Sequence, residues 1–282
     1  MKIAVFGAGS LGSVLGAILS RKNDVLLITR GEHLRAIQEN GLRVEGMVND
    51  LFHIDALDHY PGGFDLLILT VKAYQTESAA EEIKKQYDGE PVITFQNGVG
   101  VVDILKKYGF DVIPGVTTMG ATRTLPGVVM YAGYGDTFIG EENGRFSERV
   151  IHFAENFTEC GLRVEVVNDI MERRWVKAAI NACINPLTAI MRVPNGKLAD
   201  KELVEIVKCV ADECSAVLSD MGIYADVFSL AMDVIEKTAK NRSSMLQDIE
   251  MGRKTEIDFI TGPFIQGMCN KMLYHMVKFM EK

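Results

Sequence analysis

Residues 3–12 read Ile3-Ala4-Val5-Phe6-Gly7-Ala8-Gly9-Ser10-Leu11-Gly12. Four apolar residues run straight into G-x-G-x-x-G, and a helical pattern follows from Leu11 to Arg21. Strand, glycine loop and helix in that order form a phosphate-binding turn. The first glycine permits the tight turn, the second lets backbone approach a pyrophosphate, and the third lets helix pack on strand. Gly7, Ala8, Gly9, Ser10, Leu11 and Gly12 are therefore the candidate cofactor loop. A methyltransferase loop usually has an acidic residue just before the glycines, and Phe6 stands there instead.

The pattern repeats outward from this turn. Val25–Thr29, Leu66–Val71, Val92–Phe95 and Val112–Val116 are short apolar runs. Helical stretches separate them at 33–40, 76–87 and 101–108. Unbroken apolar runs suit parallel strands buried on both faces. The expected class is α/β, an N-terminal Rossmann doubly wound sheet. Val128–Tyr131 and Thr137–Ile139, parted by Gly133 and Gly135, read as an antiparallel hairpin or an edge addition. A helix over 147–160 and a last strand over 163–167 follow. Beyond Asn168 the strand signals stop, and helical periodicity covers 170–182, 202–221, 226–240, 245–251 and 257 to the C-terminus. The domains are read as 1–167, binding a dinucleotide, and 168–282, an all-α substrate-binding domain, with a cleft between them.

Composition agrees. The 282 residues, at 48% hydrophobic and 24% charged, exclude a disordered chain or a small disulfide-stapled scaffold. A net charge of −8 disfavours nucleic acid as the partner. The first twenty residues mimic a secretory leader, but glycines interrupt the apolar stretch, and Arg21, Lys22 and Asp24 follow it without a cleavage site. No apolar run reaches the ~18 residues that span a bilayer. The expectation is a cytoplasmic protein with no membrane partner. Five cysteines, an odd number without C-x-x-C, suggest neither a disulfide framework nor a metal site.

Strand ends carry the next candidates, because ligands of open α/β sheets bind there. Arg30 follows the second strand where an acidic residue would bind the ribose of NAD, and its planar fork suits the 2′-phosphate of NADP. Lys72 and Asn97 follow the third and fourth strand runs, placed to face cofactor or substrate. In the helical half, Lys177, Asn181 and Asn185 recur every four residues, so they share one face of an otherwise apolar helix. Burying such a stripe is costly unless it meets a ligand or partner. A structural hydrogen-bond network is the plain alternative. Pro186 predicts a kink near Asn185. Ser244 with Gln247 reads as a capping box, and Thr255 as the cap of a helix with Glu256 in its first turn.

With these residues assembled, the chain resembles the ketopantoate reductase family nearly end to end. The resemblance rests on GAGSLG (7–12), TVKAYQ (70–75), QNGVG (96–100), WVKAAINACINPLTAI (175–190), PNG (194–196), NRSSMLQDI (241–249) and TEIDFITG (255–262). It implies NADPH-dependent reduction of 2-dehydropantoate to pantoate, a step toward coenzyme A. On that resemblance Lys177 is the proton donor and a substrate contact, with Glu256 able to orient its ammonium. Asn181, Asn185, Asn195, Asn241 and Ser244 are implied to bind the substrate, a small 2-oxo acid. Lys72, Asn97, Ala121 and Glu256 are implied to contact or frame NADP(H), with Arg30 on the 2′-phosphate. Two departures stand out. Tyr74 replaces a common tryptophan, and the segment after Gly267 lacks the family's glycine- and proline-containing connector. A homodimer is left open. The rival readings are a reductase of another 2-oxo acid and a non-catalytic NADPH sensor.

Overall fold

The computed structural model describes all residues, Met1–Lys282. Its contacts divide the chain into two compact units. The first holds 1–96 and 101–171, and the second holds 97–100 and 172–282.

The first unit runs β1 (Lys2–Phe6), α1 (Ser10–Leu19), β2 (Asp24–Ile28), α2 (Gly31–Asn40), β3 (Leu42–Gly46), β4 (Asp50–Phe52), β5 (Asp55–Leu57), β6 (Leu66–Leu69), α3 (Thr76–Ile83), β7 (Val92–Thr94), α4 (Val101–Lys107) and β8 (Val112–Thr117). It continues with β9 (Gly120–Leu125), β10 (Val128–Gly133), β11 (Thr137–Ile139), α5 (Glu148–Glu159) and β12 (Val164–Val166). The main sheet has the order β12-β11-β8-β7-β6-β1-β2-β5. Strands β5, β2, β1, β6, β7 and β8 are parallel, in the doubly wound order that reverses between β1 and β6. The central strands are apolar because both their faces are covered: Ile3, Val5, Leu66 and Ile68 are fully buried.

The predicted 128–139 hairpin is corrected. β10 pairs with β9 and β3 in a separate four-stranded sheet, β4-β3-β10-β9. β11 instead pairs antiparallel with β8 and parallel with β12, so the edge addition is what forms. Thr137 is buried and its hydroxyl bonds that of Thr117 on β8 at 2.9 Å, fixing β11 to the main sheet. Gly135 lets the chain cross, since a Cβ there would meet the Met119 nitrogen at 2.2 Å.

The second unit is built from α6 (Ile170–Met191), whose first two residues belong to the first unit, then α7 (Lys201–Asp220), α8 (Val227–Lys237), α9 (Ser244–Glu250), α10 (Ile257–Ile260) and α11 (Met268–Met280). Its core gathers Ala179, Cys183, Leu187, Val210, Ala211, Ile235, Phe264 and Val277. α6 passes Pro186 and continues to Met191, beyond the expected end at 182. The single helix expected from 257 to the C-terminus is instead broken, because Pro263 has no N–H to give and the chain turns at Gly262–Phe264.

One expectation about cysteine is overturned. Cys209 on α7 and Cys269 on α11 form a disulfide, while Cys160, Cys183 and Cys214 are free and buried. An odd count forbids pairing all five, but it does not forbid one bridge between residues that the fold brings together. Glu213, one turn beyond Cys209, accepts the N–H groups of Cys269 and Asn270 at 2.8 Å each. The start of α11 is thus held by a carboxylate and a covalent bond where the family connector is missing. No helix is long and apolar enough to cross a membrane.

Candidate active site

The glycine loop lies where the sheet reverses. Gly7 and Ala8 donate their N–H groups to the Ile28 carbonyl at 3.0 and 2.9 Å, tying the turn to β2. Thr70, after β6, donates its N–H to Phe6 and its hydroxyl to the Gly7 carbonyl, both at 2.9 Å. Gly7 has φ +96°, and a Cβ there would strike the Val71 nitrogen at 2.5 Å. A Cβ on Gly12 would strike the Thr70 hydroxyl at 2.4 Å. Gly9 differs: its φ is −81°, and a Cβ would meet only the Gly7 carbonyl, at 3.8 Å. Close approaches hold Gly7 and Gly12 to glycine, whereas the space over Gly9 is open. The space over Gly9 adjoins the first turn of α1, where N–H groups have no intrahelical acceptor. This cradle fits a pyrophosphate. The Ser10 hydroxyl accepts the Arg123 N–H at 2.9 Å and ties the loop to β9, while Leu11 packs into the core.

The remaining first-unit candidates surround this loop. Arg30 lies between β2 and α2, just before the helix, donates through Nε to the Asp58 carbonyl at 3.3 Å, and pairs with Glu82 of α3. Lys72 is half-buried at the entry to the short turn Ala73–Gln75. Ala121 is half-buried on β9, opposite Tyr131.

In the second unit the polar stripe of α6 meets a loop from the far side of the sequence. Lys177 donates from Nζ to the Asn97 Oδ1 at 2.9 Å. Asn97–Gly100 is fixed from two sides. Val99 donates its N–H to the Phe259 carbonyl at 3.1 Å, and Arg174 Nη2 reaches the Gly98 carbonyl at 3.1 Å. Gly98 has φ +84°, and a Cβ there would lie 2.5 Å from the Phe259 oxygen. Burial pulls the Lys177 ammonium down to about 8. The Arg174 cation, one turn earlier, shares in that lowering, while Glu256 opposes both. Burial likewise pulls Arg174 down to about 10. Glu256 is buried at the entry to α10.

The stripe continues with half-buried Asn181 and buried Asn185. Asn195 is buried, donates to the Thr238 hydroxyl at 2.9 Å, and leaves its Oδ1 without a protein partner. Its backbone N–H binds the carbonyl of exposed Asn241 at 2.9 Å. The expected cap of α9 shifts by one residue. Ser243, not Ser244, accepts the Leu246 N–H, at 3.0 Å, and it also receives the Thr188 hydroxyl of α6 at 2.7 Å. Ser244 is freed from capping and is exposed. Thr255 keeps a capping contact, since its hydroxyl accepts the Ile257 N–H at 3.2 Å, and Glu256 takes the position just before α10. Sequence reasoning missed Arg174 and Ser243. The signal for Arg174 was its place three residues before Lys177, on the same helical face.

A Rossmann-like sheet with a glycine-rich turn, and a helical unit carrying a half-buried lysine among amides, are the architecture of a nicotinamide-dependent oxidoreductase. Residues 3–144 match the ketopantoate reductase PanE/ApbA family, and 169–281 match its C-terminal domain. The chain belongs to the ketopantoate reductase family. It is 43% identical over 267 residues to the 2-dehydropantoate 2-reductase of Archaeoglobus fulgidus, covering 94% of this chain and 90% of that one. Among solved structures, the family member from Ralstonia eutropha matches with a TM-score of 0.93 at 28% identity, over 100% of this chain and 98% of that one. D-mandelate dehydrogenase with NADH and anilino(oxo)acetate matches with a TM-score of 0.93 at 26% identity and the same coverage.

Proposed function

We infer that this chain reduces 2-dehydropantoate to pantoate with NADPH. Reduced nicotinamide, when bound, supplies the hydride for the ketone carbon. The glycine loop would hold its pyrophosphate, Arg30 the 2′-phosphate, and Lys72, Asn97 and Ala121 its remaining length. Lys177 then gives a proton to the ketone oxygen, and its charge stabilises the developing alkoxide. A pKa lowered to about 8 suits a general acid near neutral pH, because the group is still protonated yet releases its proton readily. The Asn97 oxygen orients the ammonium, and Glu256 favours its charged form. Asn181, Asn185, Asn195, Asn241 and Ser244 would grip the carboxylate and hydroxyl of the 2-oxo acid, neutral donors at fixed places.

The observation that carries this reading is the Lys177–Asn97 contact on a helix that lies within the stretch matching the family's C-terminal domain. The likeness to D-mandelate dehydrogenase favours one second reading, a 2-oxo acid with a larger substituent. NADPH oxidation should be followed with 2-dehydropantoate beside pyruvate, 2-oxoisovalerate and phenylglyoxylate. The proposal expects the highest kcat/KM on 2-dehydropantoate. A preference for phenylglyoxylate supports the second reading, and turnover of none supports a nucleotide sensor.

A further inference from the structure

Arg30 follows a strand end that has no acidic residue of its own, so the sequence alone points to undiluted 2′-phosphate recognition. The fold changes that local chemistry. α3 brings Glu82 against the Arg30 guanidinium, and the two form an ion pair. The Arg30 side chain is 68% exposed while that of Glu82 is 24% exposed, so the carboxylate is the anchored member. Its second oxygen, Oε1, is buried with no partner, which leaves Arg30 as the group that satisfies this carboxylate. A pocket of about 650 Å³ opens here. Two fixed cations, Arg30 and Lys85, line it with three carboxylates, Asp58, Glu81 and Glu82. Its fixed charge is therefore net acidic, the opposite of a dedicated phosphate pocket.

We propose that Glu82 is a specificity-determining residue that narrows the preference for NADPH over NADH through its ion pair with Arg30. The inference rests on the reading that the first unit holds a nicotinamide dinucleotide. A 2′-phosphate must draw the guanidinium away from Glu82 and then sit beside a carboxylate that has lost its partner. A ribose 2′-hydroxyl asks for no such exchange, because a carboxylate can accept a hydrogen bond from it. α3 thus supplies through space the acidic group that the β2 end lacks in sequence.

The test is titration of the full chain with NADPH and with NADH, followed by nucleotide fluorescence. Glu82→Gln keeps the shape and removes the charge. It should raise the ratio Kd(NADH)/Kd(NADPH) about tenfold, the scale of one close charge pair. Glu82→Ala should move the ratio the same way, and thermal melting checks that both variants fold. In an Arg30→Ala background Glu82→Gln should shift the ratio far less, because the pair no longer exists. A ratio within about twofold of the starting protein in both single variants, a fall in the ratio, or an equal shift with and without Arg30 overturns the proposal. A starting protein that binds neither nucleotide overturns the underlying reading, and the proposal with it.

Discussion

Lys177 and Asn97 lie 80 residues apart in sequence and 2.9 Å apart in the structure, the ammonium donating to the amide oxygen. One end of this contact sits on a 22-residue helix, and the other on a loop held by Arg174 and the Phe259 backbone. In the proposed reaction the Lys177 ammonium is thus aimed by groups whose own positions are set, which is what a proton transfer in a narrow geometry requires.

Removing that acid should cost turnover without costing the fold. Lys177→Ala is expected to lower kcat by about 10²-fold or more, the range for lost general-acid catalysis. NADPH titration should still show binding. Unchanged kcat would take Lys177 out of the chemistry.

The pH profile gives a second check. Lys177 must be protonated to act, so kcat should hold on the acid side and fall as pH rises through about 8. Arg174→Met removes a cation that disfavours the ammonium while keeping the volume filled, so this limb should move to higher pH. A limb that stays put while KM alone changes would make Arg174 only a support for the Gly98 loop.

Two glycines should respond in two ways. Gly9→Ala meets open space, so it should cost less stability than Gly12→Ala in thermal melting. Nucleotide affinity should drop at least tenfold, because the methyl occupies the pyrophosphate approach. Gly12→Ala meets the Thr70 hydroxyl and the Gly7 carbonyl, and should lose about 1–3 kcal/mol of stability. Equal destabilisation by both would contradict the cradle.

Reduction of Cys209–Cys269 opens a bridge that spans 60 residues. Loop-closure entropy for a span of that length gives up to about 4 kcal/mol of stabilisation. Denaturant melts of the oxidised chain and of Cys209→Ser under a dithiol reductant should differ in that direction. Identical midpoints would show that the Glu213 contacts, not the bridge, hold the start of α11.

Much of the site was legible in the sequence because its signals are local. β1, the glycine turn and β6 show as apolar runs with polar ends, since a strand covered on both faces leaves no alternation to misread. The stripe Lys177-Asn181-Asn185 shows because helical spacing repeats it. The small sheet was not legible. β9 (Gly120–Leu125) is exposed along half its length, so Arg123 and Leu125 look like loop residues until β10 pairs with them. The Cys209–Cys269 bridge and the Arg30–Glu82 pair join residues remote in sequence, and no spacing rule reaches across such gaps. Ser243 was lost to Ser244 by a single residue, because Ser244 has Gln247 three residues on and so fits the capping box, whereas the backbone at the helix start makes Ser243 the cap.

Asn97–Gly100 belongs by its contacts to the helical unit, although β7 and α4 flank it in the chain. The helical half is therefore not a cassette that can be cut out at Glu172. A proteolytic piece starting there would leave the Phe259 carbonyl without Val99, Arg174 without the Gly98 oxygen, and Lys177 without its amide. Gene fusions or domain exchanges drawn at that border would need to carry a four-residue graft with them.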